Sequence, residues 1–169
     1  MQQILITGGT GSLGSVVVPR LQRDYDTILL GRPPVLPHDG PQYHALVMLA
    51  GGFAMGNAWE QMIEMNLMSV ARAVDVALPR LKDGGRVVAI SAAASLTSPP
   101  GIVAYSATKS AVNSIIRTLA NELAPRKITA NALLPTTIDD RLKTNIAEWI
   151  AFLLSERGDG VTGQLIAVS

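Results

Sequence analysis

A short apolar run that breaks into glycines close to the start constrains this chain more than any other feature. Ile4-Leu5-Ile6 leads into Thr7-Gly8-Gly9-Thr10-Gly11-Ser12-Leu13-Gly14, and a second apolar run, Val16-Val17-Val18 through Leu21, has room for a helix. Strand, glycine turn and helix in that order make an anion site. The glycines let the backbone approach a phosphate closely, and the helix start offers unpaired N–H groups and a partial positive charge. Gly8, Gly11 and Gly14 are spaced three apart, which is not the G-x-G-x-x-G fingerprint of dinucleotide sites. From the turn alone, an ordinary tight turn is the rival reading.

The chain has 169 residues, enough for one domain spanning 1–169, and a domain of this size buries roughly 70% of its unfolded surface. Hydrophobic residues make up 48% and aromatics only 4%, so the core must be aliphatic. A net charge of +1 argues against a nucleic-acid surface or a polybasic membrane anchor. The absence of cysteine removes disulfides and thiolate metal sites. With no long uninterrupted apolar stretch, no membrane span is expected. Strand-like sequence at the very start argues against a signal peptide and for a cytoplasmic protein. There is no internal repeat and no low-complexity segment.

Read in order, the chain alternates strands and helices. Gln3–Thr7 is a strand and Ser12–Arg23 a helix, with Ser12 as candidate N-cap and Pro19 as a kink or early end. Thr27–Leu30 is a strand closed by Gly31-Arg32. The proline-rich run from Pro33 to Pro41 is loop. Ala45–Ala50 is a buried strand ending at Gly51-Gly52. Ala58–Leu81 is a long helix with apolar residues near helical spacing. Gly84-Gly85 is a turn, Arg86–Ser91 a strand and Ser95–Gly101 a loop. Val103–Glu122 is a second long helix. Lys127–Leu133, Asn145–Ser155 and Gln164–Val168 read as strand, helix and strand. Several strands are apolar on both faces, as when helices cover both sides of a parallel sheet. The fold class is therefore a doubly wound, three-layer α/β domain of Rossmann type. Ligands in such sheets bind beyond the carboxyl ends of the strands, where Gly8–Gly14, Arg32, Gly51-Gly52, Ser91 and Pro135 all fall. They should share one cleft.

Tyr105-Ser106-Ala107-Thr108-Lys109 carries the most chemical information. Positions i and i+4 share a helix face. A lysine ammonium beside a phenol favours phenolate and lowers the tyrosine pKa, which suits Tyr105 to proton transfer at a carbonyl or carbinol oxygen. The bland reading is surface packing. With the glycine turn, Ala50-Gly51-Gly52 and Asn66 in mid-helix arriving in order, the chain resembles the short-chain dehydrogenase/reductase family along its whole length.

The resemblance implies an NAD(P)(H)-dependent oxidoreductase moving hydride between nicotinamide and a carbonyl, alcohol or pterin-like quinonoid substrate. Tyr105 would be the general acid/base. Lys109 would hold the nicotinamide ribose and tune the tyrosine, and Asn66 would hold a relay water. Gly8, Thr10, Gly11, Ser12, Leu13 and Gly14 would take the pyrophosphate. Ala50, Gly51 and Gly52 would pack near the adenosine ribose, and Pro135, Thr136 and Ile138 beside the nicotinamide. Helices 58–81 and 103–122 would pair chains into a homodimer or homotetramer. Leu49–Phe53, Pro100–Tyr105 and Leu134–Asp139 resemble the dihydropteridine reductase branch.

Two departures stand out. The family's catalytic serine falls on Ala92, with Ser91 and Ser95 beside it as stand-ins, and the family's carboxamide threonine falls on Asp140. Ala92 keeps open a second reading, a dinucleotide-binding sensor or scaffold without turnover. An acidic residue after the second strand would select NAD; Gly31-Arg32 stands there, and a guanidinium suits the 2′-phosphate, so NADP(H) is preferred over NAD(H). The chain is also short for the family. Either a helix–strand unit after the second strand is missing, leaving a sheet edge uncovered, or segments are absent from the numbering near Gln42–Leu46, Gly56–Trp59 and Asp139–Thr144. His38 and His44, with no acidic cluster beside them, suggest no metal site. Asp139-Asp140 reads as a solvated turn. Trp59 and Trp149 read as packing residues, and the methionines of Met62–Met68 as core or subunit contact.

Overall fold

Alternate residues of each central strand are apolar, and the two sets face opposite ways. In the computed structural model, which describes residues 1–37 and 39–169, this double burial builds one six-stranded parallel sheet in the order β2-β1-β3-β4-β5-β6. The strands are β1 Gln2–Thr7, β2 Tyr25–Leu30, β3 Tyr43–Met48, β4 Leu81–Ile90, β5 Thr129–Pro135 and β6 Leu165–Val168. Ile4, Ile6, Ala45, Val47 and Val88 pack on one face with helix α1 (Gly14–Leu21) and helix α6 (Asp140–Leu154). Leu5, Leu46, Met48, Val87 and Ala89 pack on the other, against α3 (Ser69–Ala77) and α5 (Val103–Glu122). Fully burying each such aliphatic side chain contributes about 1.5–3 kcal/mol.

The expected elements are present, with shifted limits. Helix α5 has the predicted bounds. Helix α1 is shorter than Ser12–Arg23 and carries Pro19 inside it; its N-cap position is Leu13, which makes no side-chain cap bond, so Ser12 is not the cap. The helix expected over 58–81 is a run of four pieces: α2 (Trp59–Met62), a π-helical stretch Ile63–Met68, α3, and a 3-10 turn Leu78–Arg80. Strand β4 begins at Leu81, because Leu81 pairs with Tyr43. The expected turn at Gly84-Gly85 is therefore an irregularity inside the strand, where the register jumps from Tyr43↔Leu81 to Ala45↔Arg86. Part of the expected 95–101 loop is a short helix, α4 (Ala94–Thr97). The last helix starts at Asp140: Asp139 and Asp140 are exposed, as expected, and Asp139 is the N-cap, accepting from the Leu142 N–H at 2.8 Å.

Strand β2 pairs only with β1 and forms one edge of the sheet. Residues 31–42 join it to β3 with no strand or helix among the described residues. Arg80 pins this strap, donating to the carbonyls of Pro37 (2.8 Å) and Pro41 (3.0 Å). Among the described residues there is thus no helix–strand unit after the second strand, and the chain runs into β3 at Tyr43 and into α6 at Asp140. His44 is the second residue of β3, beside the loop that precedes it; it is buried, stacks on Tyr25 at 5.7 Å and contacts the Leu154 carbonyl through Nε2 at 2.8 Å. Its burial lowers its pKa. His38 lies outside the described residues. Among them, no three His, Asp or Glu side chains cluster as metal ligands. Trp59 and Trp149 are more exposed than core packing residues, at 44% and 38%, although Trp149 packs edge-on against Phe152. No helix among the described residues is long and apolar enough to cross a membrane.

Candidate active site

At the end of β1 the chain must turn under another strand, and glycine makes that possible. Gly8 has φ +71°, and a Cβ there would sit 2.5 Å from the Ala50 nitrogen. Gly14 lies directly against the turn: a Cβ would come within 2.3 Å of the Gly9 carbonyl oxygen. The Gly11 N–H donates to Gly8 at 3.0 Å. Among the described residues, no acceptor in the chain takes the N–H groups of Ser12 and Leu13, which stand before the first turn of α1. These are the orphan donors of a helix start, set out for an anion.

A cavity of about 1120 Å³ opens above the carboxyl ends of β1–β4. Gly8, Thr10, Gly11, Ser12, Leu13, Arg32, Ala50, Gly51, Gly52, Ser91, Tyr105, Lys109 and Ile138 all line it. The glycine turn and the Tyr105–Lys109 pair therefore face one crevice. Four predicted residues are not in the lining. Gly14 is beneath the turn. The Pro135 carbonyl accepts from Ala93 N–H at 3.0 Å, and the Thr136 N–H donates to Val168 at 3.2 Å, so both are tied into the sheet end.

Asn66 stands just behind the cavity wall, fully buried within the π-helical stretch. Its Oδ1 accepts from Gly52 N–H at 2.8 Å, and its Nδ2 donates to the Gly52 carbonyl at 3.1 Å and to Thr108 Oγ1 at 3.3 Å. One amide thus fastens the end of β3 to α5. A π-turn adds one residue to a helical turn and re-aims the side chains that follow. A Cβ on Gly51 would meet both Asn66 Oδ1 and Lys109 Nζ at 3.0 Å, so Gly51 leaves room for the two groups to converge.

Lys109 is almost completely buried, and its Nζ donates to the Ile90 carbonyl at 3.0 Å while standing 6.0 Å from the Tyr105 ring centre. Burial lowers its pKa from the usual lysine value to about 8. The expectation that Lys109 lowers the Tyr105 pKa is not what the structure shows: burial raises it. The lysine is aimed at a carbonyl, and desolvation of the phenol governs its proton. Ser91 donates its hydroxyl to the Lys109 carbonyl at 3.1 Å. Ser95 is buried away from the cavity, donating to Ala92 at 2.6 Å and accepting from Asn113 at 2.7 Å.

Sequence reasoning passed over other lining residues. Leu29, Phe53, Glu64, Met65, Ser69 and Arg72 also face the cavity. Met65, Ser69 and Arg72 are spaced four and three apart, the signature of one helix face, and that spacing was available in the sequence. Phe53 packs edge-on against Tyr105, ring centres 5.0 Å apart. Glu64 and Arg72 pair with each other, and Arg72 holds the Glu64 carboxyl below the usual range.

A family model described as short chain dehydrogenase matches residues 45–151. The (-)-trans-carveol dehydrogenase of Rhodococcus erythropolis is 36% identical over 115 residues, covering 66% of this chain and 36% of that protein. The dihydropteridine reductase of Dictyostelium discoideum is 30% identical over 172 residues, covering 82% of this chain and 74% of that protein. A blue fluorescent protein from a metagenomic library, solved in complex with NADPH, shares the fold with a TM-score of 0.85 at 23% identity, over 99% of this chain and 96% of that one. The chain spans about half the length of the first curated relatives it matches. The glycine turn under β3, the six parallel strands and the match over most of the chain agree: it belongs to the short chain dehydrogenase family.

Proposed function

We propose that this chain is an oxidoreductase moving hydride between C4 of a nicotinamide and a carbonyl or alcohol carbon, or a pterin-like quinonoid ring, with Tyr105 as general acid/base. The supporting observation is that Tyr105 and Lys109 line the same cavity as the glycine turn. The dihydropteridine reductase relative supports the quinonoid option. The residues present fit a dinucleotide: the unpaired N–H groups of Ser12 and Leu13 suit a pyrophosphate, and Arg32 suits a 2′-phosphate, which favours NADP(H) over NAD(H). A neighbour of the same fold binds NADPH.

A bound nicotinamide supplies the hydride; the chain's own residues manage the proton. In the reducing direction the substrate C=O π bond breaks, its carbon gains the hydride and its oxygen gains the Tyr105 proton, giving the alcohol. Burial opposes charge on the phenol and on Lys109 alike. A phenolate beside an ammonium costs less than either charge alone, so protonated Lys109 steadies the ionised phenol after transfer, as well as holding ribose hydroxyls. Asn66 keeps the Gly52 peptide and α5 in register and carries the relay. Ser91, its proton committed to the Lys109 carbonyl, positions that helix. Ile138 borders the nicotinamide end, with Pro135 and Thr136 fixing the segment before it. On this reading the protein works in the cytoplasm as a homodimer or homotetramer through helices 58–81 and 103–122.

The test is NADPH oxidation over carbonyl and quinonoid substrates, followed by loss of reduced-nicotinamide absorbance. Tyr105→Phe is expected to lower kcat by about 10²–10⁴ while the protein still binds NADPH. Full activity in that variant overturns the acid/base assignment. Ala92 in the family's serine position favours the sensor reading, and tight NADPH binding by the parent protein without turnover would establish it.

A further inference from the structure

The described charged side chains lining the cavity are Arg32, Glu64, Arg72 and Lys109. Each is engaged or remote from the Tyr105 hydroxyl. Glu64 and Arg72 neutralise each other. Lys109 is buried and directed at the Ile90 carbonyl. Arg32 follows β2, the edge strand, with β1 and β3 between it and the β4–β5 side where α5 carries Tyr105. A substrate bearing a carboxylate or phosphate would therefore be desolvated without a partner, which is costly.

The same end of the cavity offers apolar surface. Phe53 lines the cavity and is 59% exposed although its ring already meets Tyr105 in a T-shaped contact, so much of its surface is uncovered. Ile138, also exposed, and Met65, half-buried, line the same space. The Gly56 N–H donates to the Gly101 carbonyl at 2.7 Å, which ties the segment carrying Phe53 to the turn before α5. Phe53 is thus a held surface beside the acid. A flat or puckered ring suits such a surface, because aromatic side chains gain from face contact beyond simple burial.

We propose that the substrate is an uncharged, ring-bearing carbonyl compound whose ring packs on Phe53 between Met65 and Ile138, its oxygen turned to Tyr105. This inference rests on the oxidoreductase reading above and adds the substrate class. Phe53 is the residue that sets it.

The test compares a matched pair, 4-methylcyclohexanone and 4-oxocyclohexanecarboxylate, which differ by one charged group on the same ring. With the full chain and NADPH, kcat/KM is expected to favour the neutral ketone by at least about tenfold. Phe53→Ala should lower kcat/KM for the neutral ketone by about tenfold, and Phe53→Lys should shift the ratio toward the carboxylate. An equal or reversed preference in the parent protein overturns the proposal, as does a ratio unmoved by both variants. Ligand-observed NMR with the NADPH-loaded protein separates the two failures. Binding of the neutral ring without turnover keeps the substrate surface and overturns the oxidoreductase reading; turnover of open-chain anionic carbonyls with no ring binding does the reverse. If light scattering shows that Phe53→Ala lowers the particle mass and leaves the ratio unchanged, the surface is covered by a second copy, and the proposal fails.

Discussion

Replacing Gly8 by alanine places two penalties on one added carbon. The backbone at φ +71° is left-handed, which costs an L-residue about 1–2 kcal/mol. The new methyl would also stand 2.5 Å from Ala50 N and 2.7 Å from Ala50 Cα, main-chain atoms of the segment leaving β3 that cannot rotate away. Overpacking of that kind costs about 1–3 kcal/mol. Together the loss is about 2–5 kcal/mol, or about 5–15 °C in Tm for a domain of this length. Gly11→Ala is the internal control. Among the described residues its one close neighbour would be the Gly8 carbonyl oxygen at 3.3 Å, so Tm should fall by less than about 2 °C. It puts a methyl on the turn that faces the cavity, however, and NADPH affinity should fall at least about tenfold. Thermal unfolding by circular dichroism and calorimetric NADPH titration read the two effects separately. A Gly8→Ala protein that melts with the parent, or a Gly11→Ala protein that melts as early as Gly8→Ala, refutes the reasoning.

Arg32→Ala should raise the Kd for NADPH by about ten- to a hundredfold, the value of charge-assisted hydrogen bonds to a phosphate, and leave NADH binding within about twofold; equal loss for both cofactors would remove Arg32 from cofactor choice. Lys109, lowered to about 8 in the folded chain, makes stability depend on pH. Between about 8 and the ordinary lysine value the unfolded chain binds the extra proton, so unfolding free energy should rise with pH across that window, by on the order of 3 kcal/mol in full. Lys109→Met should flatten the rise in denaturant titrations, and an unchanged slope would contradict it.

What could be read from the residues follows the range of the forces involved. Helix α5 was legible to the residue because what bounds it, Pro125 just beyond its end, is a local signal. The sheet was legible because apolar runs buried on both faces admit few arrangements. The cavity brought together the glycine turn, Arg32, Gly51-Gly52, Ser91, Tyr105 and Lys109 because all follow strand ends or sit on one helix face. The start of β4 at Leu81 was hidden because Tyr43 pairs with it across the sheet. The π-helical stretch carries Asn66, whose bond to Gly52 no spacing announces. Pro135 and Thr136 are held in the sheet end by Ala93 and Val168, partners distant in sequence. The direction of the Tyr105 shift was misjudged because a spacing of four residues fixes the face of a lysine but not its acceptor, which is Ile90.

The strand order β2-β1-β3 has one more implication. The connectivity reverses direction between β1 and β3, and the glycine turn sits at that reversal, under Ala50. The connection that follows β2 leaves the sheet at its edge strand and returns to β3 on the other side of β1. Length can therefore be gained or lost beyond that edge as on the fringe of a fabric, with the seam at the glycine turn left uncut. On the proposed dinucleotide reading, a domain arranged this way can vary its adenosine-side margin independently of its proton-transfer side. Grafting a helix–strand unit between Arg32 and Tyr43 would tune affinity for the nucleotide's outer half while leaving the Tyr105 pole in place.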